Sequence, residues 1–225
     1  MHFVLPGDTV RSISSTQTPI PISSGLTLQN SQVVAQQCGK FLTKGNACVL
    51  LSDCGKYLPS AQDLVIGVIV DRLAENFKVD IGTIEYAALP FSEFESYTKK
   101  NRPDIPINSL IYARVTLAGK HVEPELSCMS ADGKGTGFGH LEGGFLLDVP
   151  LAFSRKLLRN SSIIQLIGAR LKFEVAVGIN GKIWIKADEC AHTVFLCNIL
   201  KIVSSMRDLS QQEQFIEKQL NEYFA

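Results

Sequence analysis

Three cations lie within four residues of one polar segment, and they are the first candidates for binding a ligand. Lys99, Lys100 and Arg102 precede Pro103, which favours an extended or turning loop over a helix. Such a cluster can contact successive phosphates without reading base sequence. A solvated loop without a ligand would account for the same charges, so the sequence leaves both interpretations open.

An aromatic residue and a lysine follow one another in a segment with strict alternation. Phe77, Val79 and Ile81 share one face, whereas Lys78 and Asp80 share the other. Exposed aromatic rings on a barrel strand can stack on bases, and neighbouring lysines can contact phosphates. Phe77 and Lys78 are therefore candidate nucleic-acid contacts, with packing of Phe77 in the core as the competing interpretation.

A short turn joins two further alternating segments. Gly178-Ile-Asn-Gly181 predicts a tight hairpin, in which Asn180 and Gly181 would both take positive φ, as in a type I′ turn. The next strand places Trp184 between two lysines on one face. That face could contact RNA, or the indole could pack partly buried at a domain interface.

Two other groups of residues suggest chemistry that their spacing does not support. A zinc site built from Cys48, Cys54, Cys190 and His192 lacks finger-like spacing, so the cysteines are interpreted as reduced core residues. Residues 133–144 contain six glycines, but a strand-like segment follows them where a phosphate-binding loop needs a helix. We predict a linker or a tight inter-domain turn there, no metal and no other cofactor.

The elements that must position these residues belong to a soluble, folded chain. Its 225 residues include 22 basic and 22 acidic side chains, and this balance excludes strong, sequence-blind binding of nucleic acid by net charge alone. Apolar residues make up 45% of the chain, with no run of the roughly 18 that a membrane span needs. No secretory signal begins the sequence.

Residues 61–131 carry five predicted strands and one long connection over Pro90–Asn108. This pattern favours a small closed barrel of the oligonucleotide-binding type, with a sandwich fragment as the alternative. Residues 1–60 contain short strands punctuated by Gly and Asn, including Gln32–Gln36, Ala47–Leu51 and Tyr57–Leu58. The five barrel strands are Leu64–Val70, Phe77–Ile81, Ile84–Leu89, Leu110–Leu117 and His121–Met129.

Residues 132–225 show the order strand, helix, helix, strand, strand, helix, followed by a terminal helix. Ser162 is the predicted N-cap of the second helix, and Ser210 with Glu213 predicts a capping box for the last one. The predicted strands are Phe145–Val149, Phe173–Val177 and Lys182–Lys186. The first predicted helix starts after Pro150, the second spans Ile163–Leu171, the third spans Asp188–Ser204, and the fourth lies at the C-terminus.

Several segments of this sequence resemble known RNA-binding modules. Asp63–Val70, Phe77–Gly82 and Ala88–Phe94 look like an S1-type barrel, and the element order after it is that of a K-homology (KH) domain. Tyr97–Pro103 and Gly178–Ala187 resemble one family closely, the non-catalytic RNA-exosome cap subunits called exosome component 3, or ribosomal RNA-processing protein 40.

This resemblance implies an α+β, multidomain protein with an N-terminal β module (1–60), a five-stranded S1-like barrel (61–131) and a KH-like domain (132–225). The expected function is non-catalytic: such a subunit stabilises a ring of RNase PH-like subunits and guides single-stranded RNA to a 3′–5′ exoribonuclease. Expected partners are ring subunits, other cap subunits, the exoribonuclease and RNA. Expected locations are the nucleus, nucleolus and cytoplasm. The alternatives are a purely structural assembly subunit and a free S1/KH RNA-binding factor.

The sequence also departs from the patterns of these modules. The Gly-x-x-Gly clamp of KH domains is absent from its position, Leu158–Ser162, and Pro90 stands where S1 barrels commonly have a His. The resemblance therefore assigns Gly178, Asn180, Gly181 and Trp184 a structural role between the domains. Residues 61–131 carry seven basic and ten acidic residues, so we expect weak RNA binding.

Overall fold

The computed structural model describes residues 2–12, 20–23, 25–51, 56–95, 97–98, 102–119, 122–130, 133–135, 137–206 and 208–224. The chain forms two units, Met1–Lys56 and Tyr57–Ala225. Among the residues described, no helix has the length and apolar character needed to span a membrane.

The N-terminal unit is built from two three-stranded antiparallel sheets, with strand orders β1-β5-β6 and β2-β4-β3. Val33, Phe41 and Cys48 lie in its core. The predicted strands that begin at Gln32 and Ala47 are present. The strands are β1 (His2–Val4), β2 (Thr9–Ser12), β3 (Leu26–Gln29), β4 (Gln32–Ala35), β5 (Gly39–Lys44) and β6 (Ala47–Leu51).

Five strands of the second unit close into a barrel through the pairings β7–β8, β8–β9, β9–β11, β11–β10 and β10–β7. Alternate residues such as Val65, Phe77 and Ile111 point inward and are fully buried. Tyr57 packs against the same core, so it belongs with the barrel and forms no strand. The strands are β7 (Leu64–Arg72), β8 (Asn76–Asp80), β9 (Ala87–Pro90), β10 (Leu110–Gly119) and β11 (Val122–Ser127).

Two barrel predictions need correction. The third strand starts at Ala87 and not at Ile84, because side chains of the preceding loop bond to nearby backbone: the Asp80 carboxylate accepts from the Gly82 N–H at 2.8 Å, and the Thr83 hydroxyl donates to the Glu85 carbonyl at 2.6 Å. The glycine-rich segment is also more than a linker. Its residues Gly139–Leu141 form β12, which pairs with β10.

The rest of the second unit has the predicted element order. A three-stranded antiparallel sheet of order β13-β15-β14 packs against helices around a core that includes Phe153, Ile185 and Leu200. Its elements are β13 (Phe145–Asp148), α1 (Leu151–Arg159), α2 (Ser162–Gly168), β14 (Phe173–Val177), β15 (Lys182–Ala187), α3 (Cys190–Ser205) and α4 (Leu209–Phe224).

Both capping predictions are wrong. Helix α2 begins at Ser162 itself, and the carboxamide oxygen of Asn160 accepts the Ser162 N–H at 3.2 Å. Helix α4 begins at Leu209, so Ser210 lies inside its first turn and cannot act as the N-cap. These errors shift helix ends by one or two residues and leave the element order unchanged.

Candidate nucleic-acid interface and the interdomain junction

The aromatic candidate on β8 lies inside the barrel. Phe77 is 0% exposed, and its ring packs edge-on against Phe91 and Phe94, with centroids 4.8 and 6.2 Å away. A base cannot reach this ring without opening the barrel. The prediction that Phe77 contacts RNA is therefore wrong, and its alternation with Val79 and Ile81 reflects core packing.

Lys78 lies on the outward face of the same strand, half-buried. Asp71 of β7 and Ala88 of β9 are its neighbours in the sheet. Asp80 shares the outward face of β8 with Lys78, so two carboxylates lie beside one ammonium group and Lys78 offers little attraction for phosphate. Its role as an RNA contact stays a prediction.

Of the three clustered cations, Lys99 and Lys100 lie outside the described residues. Arg102 is exposed, and its guanidinium donates to the Ala74 carbonyl at 3.3 Å. Arg72, which the sequence did not single out, pairs with Asp104 at 2.6 Å. Both arginines thus connect segment 102–104 with the end of β7 and the turn that follows it. In barrels of this type, that turn is one of the loops beside the oligonucleotide-binding face. We call Arg72, Arg102 and Asp104 the arginine surface.

The arginine surface also borders aromatic residues. The Arg72 guanidinium lies 5.9 and 5.8 Å from the ring centroids of Phe77 and Phe91. Glu95, whose carboxylate accepts the Gly135 N–H, lines a cleft of about 300 Å³. Arg102 lines the same cleft together with Tyr97, Phe138 and His140. Single-stranded nucleic acid binds where cations and aromatic rings alternate. We call these four lining residues the aromatic cleft. Residues before β10 and on β12 meet only in the fold, so no local sequence pattern indicates the cleft.

A larger cleft borders the connection between the first two helices of the KH-type domain, the position of the clamp in KH domains. It has a volume of about 660 Å³ between α1, α2, β14 and the β12 segment. Helix α1 ends at Arg159 and α2 begins at Ser162, leaving two residues without glycine for the clamp. The carboxylates of Glu142 and Glu174 line the cleft beside Lys186. Acidic groups repel phosphate, and a backbone clamp needs close approach, so this cleft is poorly suited to the usual KH mode.

The Gly178–Gly181 turn connects the KH-type domain to the barrel. The Asn180 carboxamide donates to the carbonyls of Ile66 at 2.8 Å and Ile81 at 2.9 Å, and its oxygen accepts the Ile66 N–H at 3.3 Å. The Ile179 N–H donates to the Leu64 carbonyl at 2.7 Å. Asn180 is only 9% exposed, and these bonds use its polar atoms almost completely. We call this contact the Asn180 junction.

The conformation of this turn differs from the expected one. Gly181 has φ +80°, but Asn180 does not have positive φ, so the turn is not type I′. The Gly181 N–H instead donates to the Gly178 carbonyl at 3.2 Å. Asn180 is therefore required by its bonds to the barrel and not by the turn. Gly178 is required because a Cβ there would collide with the Asn180 side chain and the Ile66 backbone nitrogen.

Apolar packing surrounds the Asn180 junction. Trp184 is 4% exposed and packs with Ile66 of the barrel and Ala176 of β14, while its indole N–H donates to the Gly143 carbonyl at 2.7 Å. The Tyr112 hydroxyl donates to the Val177 carbonyl at 3.3 Å, and burial raises the pKa of Tyr112. Trp184 is thus interface packing, and it is not available as a stacking surface for RNA.

Comparison with known proteins identifies the family. A model of the S1 domain of exosome complex component RRP40 matches residues 57–139, and a KH-domain model matches residues 144–189. The exosome complex component rrp40 of Schizosaccharomyces pombe is 36% identical over 220 residues, covering 94% of this chain and 92% of the relative. The chain belongs to the RRP40 family of exosome complex components.

Other relatives agree with this membership. The RRP40 exosome component of Drosophila melanogaster is 34% identical over 201 residues, covering 88% of this chain and 87% of the relative, and that of Homo sapiens is 37% identical over 159 residues, covering 70% and 58%. A crystal structure assigned provisionally to an exosome complex RNA-binding protein has a TM-score of 0.61 at 20% identity, covering 75% of this chain and 99% of that one. At that identity it supports the fold alone.

Proposed function

We propose that this RRP40-family chain is a non-catalytic, RNA-binding cap subunit of the exosome. In this role it stabilises a ring of RNase PH-like subunits, alongside other cap subunits, and guides single-stranded RNA to a 3′–5′ exoribonuclease. The observation that carries the proposal is the match to an exosome component over 94% of this chain, together with a barrel and a KH-type domain joined at the Asn180 junction. A fixed pair of such domains suits a subunit that presents one defined surface to RNA.

The local chemistry supports loose contact with RNA. Arg102 of the aromatic cleft provides a guanidinium beside the rings of Tyr97 and Phe138. Such a combination attracts a phosphate backbone and stacks bases with little preference for sequence. The net charge of −3 over residues 61–131 opposes tight binding by the isolated chain. A weakly held strand can move past the subunit, as guidance toward a nuclease requires.

The proposal is tested by measuring mass and activity together. Native mass measurement should place the chain in an assembly of several hundred kilodaltons, and the complex reconstituted with this chain should degrade single-stranded RNA. The purified chain alone should release no nucleotides. A monomeric native species would favour the free RNA-binding factor instead, and nuclease activity of the pure chain would refute the non-catalytic role.

A second candidate is a purely structural subunit, favoured by the burial of Phe77 and by the carboxylates in the KH-type cleft. Replacing Lys99, Lys100 and Arg102 with Glu separates the two. Under the RNA-guiding function, the assembled complex protects a shorter or weaker RNA footprint from nuclease. An unchanged footprint supports the structural function. Arg170→Glu with Lys172→Glu is the matched control, because both side chains are exposed on the KH-type domain.

A further inference from the structure

The barrel carries apolar side chains that the fold leaves in solvent. The loop between β8 and β9 presents Ile84 with 92% of its surface exposed and Tyr86 with 49%. Leu117 near the end of β10 and Val122 at the start of β11 are 45% and 48% exposed. Single exposed apolar residues are common on protein surfaces, whereas several on one surface are typical of an interaction site.

The register of the strands places these residues on one face. The β8–β9 pairing, extended by one residue, puts Tyr86 beside Asp80. The parallel β9–β11 pairing, extended by two residues, puts Tyr86 beside Glu123 as well. Leu117 pairs directly with Glu125. Apolar and acidic side chains therefore share the outer surface of β8, β9 and β11. We call this surface the acidic face, and its members are Asp80, Ile84, Glu85, Tyr86, Leu117, Val122, Glu123 and Glu125.

The charge of the acidic face is negative. None of its four carboxylates forms an ion pair in the part of the chain that the structure describes. At its border, Lys78 lies beside Asp71, and the Arg114 guanidinium donates to the Gln62 carboxamide at 2.9 Å. Lys120, in the hairpin between β10 and β11, lies outside the described residues. With Asp71 and all three cations counted, five carboxylates oppose three positive groups. This charge repels a phosphate backbone and complements a basic protein surface.

The loop that carries Ile84 is held in one conformation. The hydrogen bonds from Gly82 to the Asp80 carboxylate and from Thr83 to the Glu85 carbonyl close it from within. The Asn180 junction holds the carbonyl of the preceding residue at 2.9 Å. A loop that is fixed before binding loses little conformational entropy when a partner docks. The exposed isoleucine is thus a preformed anchor for a partner pocket.

We propose that the acidic face docks on a protein that presents an apolar pocket with a basic rim. Ile84 enters the pocket, and Lys or Arg side chains of the partner face Glu85 and Glu123. This contact lies at the end of β8, whereas Arg72 lies opposite Phe77 near the start of that strand. The barrel therefore binds this protein and RNA at opposite ends, and the docking requires neither RNA nor a nuclease.

Site-specific cross-linking tests the proposal. The full-length chain carries p-benzoylphenylalanine at position 84 and is irradiated in cells before purification. The expected product is a ribonuclease-resistant adduct with one protein, mapped to an apolar pocket flanked by Lys or Arg. Ile84→Asp, and separately Glu85→Lys with Glu123→Lys, should each lower recovery of that protein at least about tenfold, whereas Ile84→Val retains it. Replacing the mapped Lys or Arg with Glu should restore recovery by the Glu85→Lys, Glu123→Lys chain.

Ile107→Asp is the matched control, because Ile107 is 53% exposed in the loop before β10, outside the acidic face, and its replacement should leave recovery unchanged. Thermal unfolding of all variants should match the wild type, since the replaced side chains are exposed. The proposal is overturned by no adduct, by an adduct with RNA or with a second copy of this chain, or by recovery insensitive to Ile84→Asp. A chain of several hundred kilodaltons in native mass measurement with any of these results keeps the proposed function and loses this inference. A monomeric chain with the expected adduct does the reverse.

Discussion

The Asn180 junction and the arginine surface both use hydrogen bonds to backbone carbonyls, but they differ in burial. At the junction, Asn180 is only 9% exposed, and its carboxamide makes three hydrogen bonds to the barrel. On the arginine surface, Arg102 is exposed, and the Arg72–Asp104 pair has side-chain exposures of 37% and 91%. Buried bonds fix one arrangement because breaking them leaves polar groups unsatisfied, whereas exposed groups can exchange partners with water or a ligand.

This difference assigns the two regions different roles. The junction holds the barrel and the KH-type domain in one arrangement, and the arginine surface keeps its charged groups partly or fully exposed to solvent. The contrast predicts large stability effects at the junction and small ones at the arginine surface.

The largest effect is expected for Asn180→Ala. The substitution removes three bonds and leaves the carbonyls of Ile66 and Ile81 without this donor, so the free energy of unfolding should fall by roughly 3 to 5 kcal/mol. Urea denaturation should show the fall, together with separate transitions for the barrel and the KH-type domain. Asn198→Ala, at an exposed position on α3, is the control and should change stability by less than about 0.5 kcal/mol. Equal effects of the two substitutions would remove the special role of the junction.

Gly178→Ala should have the next largest effect. Its added methyl group meets the Asn180 side chain and the Ile66 nitrogen, so the free energy of unfolding should fall by roughly 1 to 3 kcal/mol. Gly168→Ala is the matched control, because no atom lies within 4 Å of its added methyl group. That control should be neutral or stabilising by up to about 1 kcal/mol. Thermal unfolding of both variants measures the difference, and a neutral Gly178→Ala would show that the turn relaxes easily.

Trp184→Phe should weaken the junction more modestly. Phenylalanine keeps most of the apolar contact with Ile66 but cannot donate to the Gly143 carbonyl, which should cost about 1 to 2 kcal/mol. Urea denaturation measures this change, with Phe145→Leu on the exposed edge of β13 as the control. A cost no larger than that of the control would mean that the indole hydrogen bond adds nothing to packing.

The smallest effect is expected on the arginine surface. Asp104→Ala removes the ion pair with Arg72, and because both groups are partly or largely exposed, the free energy of unfolding should change by less than about 1 kcal/mol. Denaturation at low and high salt checks this expectation. A loss comparable to that of Asn180→Ala would contradict the division between a fixed junction and an adaptable surface.

Much of the fold follows from local patterns in the sequence. Alternation in segments such as Phe77–Ile81 specifies strands because one face must be buried, and helical spacing in residues 190–205 specifies α3. The sequence does not indicate strand β12, because the glycine-rich segment that contains it shows no apolar alternation; the strand forms by pairing with β10. The strand expected at Ile84 failed because bonds from Asp80 and Thr83 hold a loop.

The candidate sites were less predictable for a physical reason. An Asn-Gly pair is explained by a hairpin alone, and the partners of Asn180 lie 114 and 99 positions away in the sequence. The resemblance to exosome cap subunits indicated the interface role, but only the fold identifies the carbonyls involved. Alternation likewise places Phe77 on a face without deciding whether that face is inside or outside. Arg72 gave no signal because its partner, Asp104, lies on another segment.

Cross-linking of single-stranded RNA to the purified native complex, with mapping of the modified peptides, tests the proposed RNA-guiding role most directly. We predict cross-links on this chain within residues 97–103 or at the aromatic cleft residues Phe138 and His140, and none at the buried Phe77 or Trp184. RNA that cross-links to other subunits of the complex while leaving this chain unmodified would contradict the account.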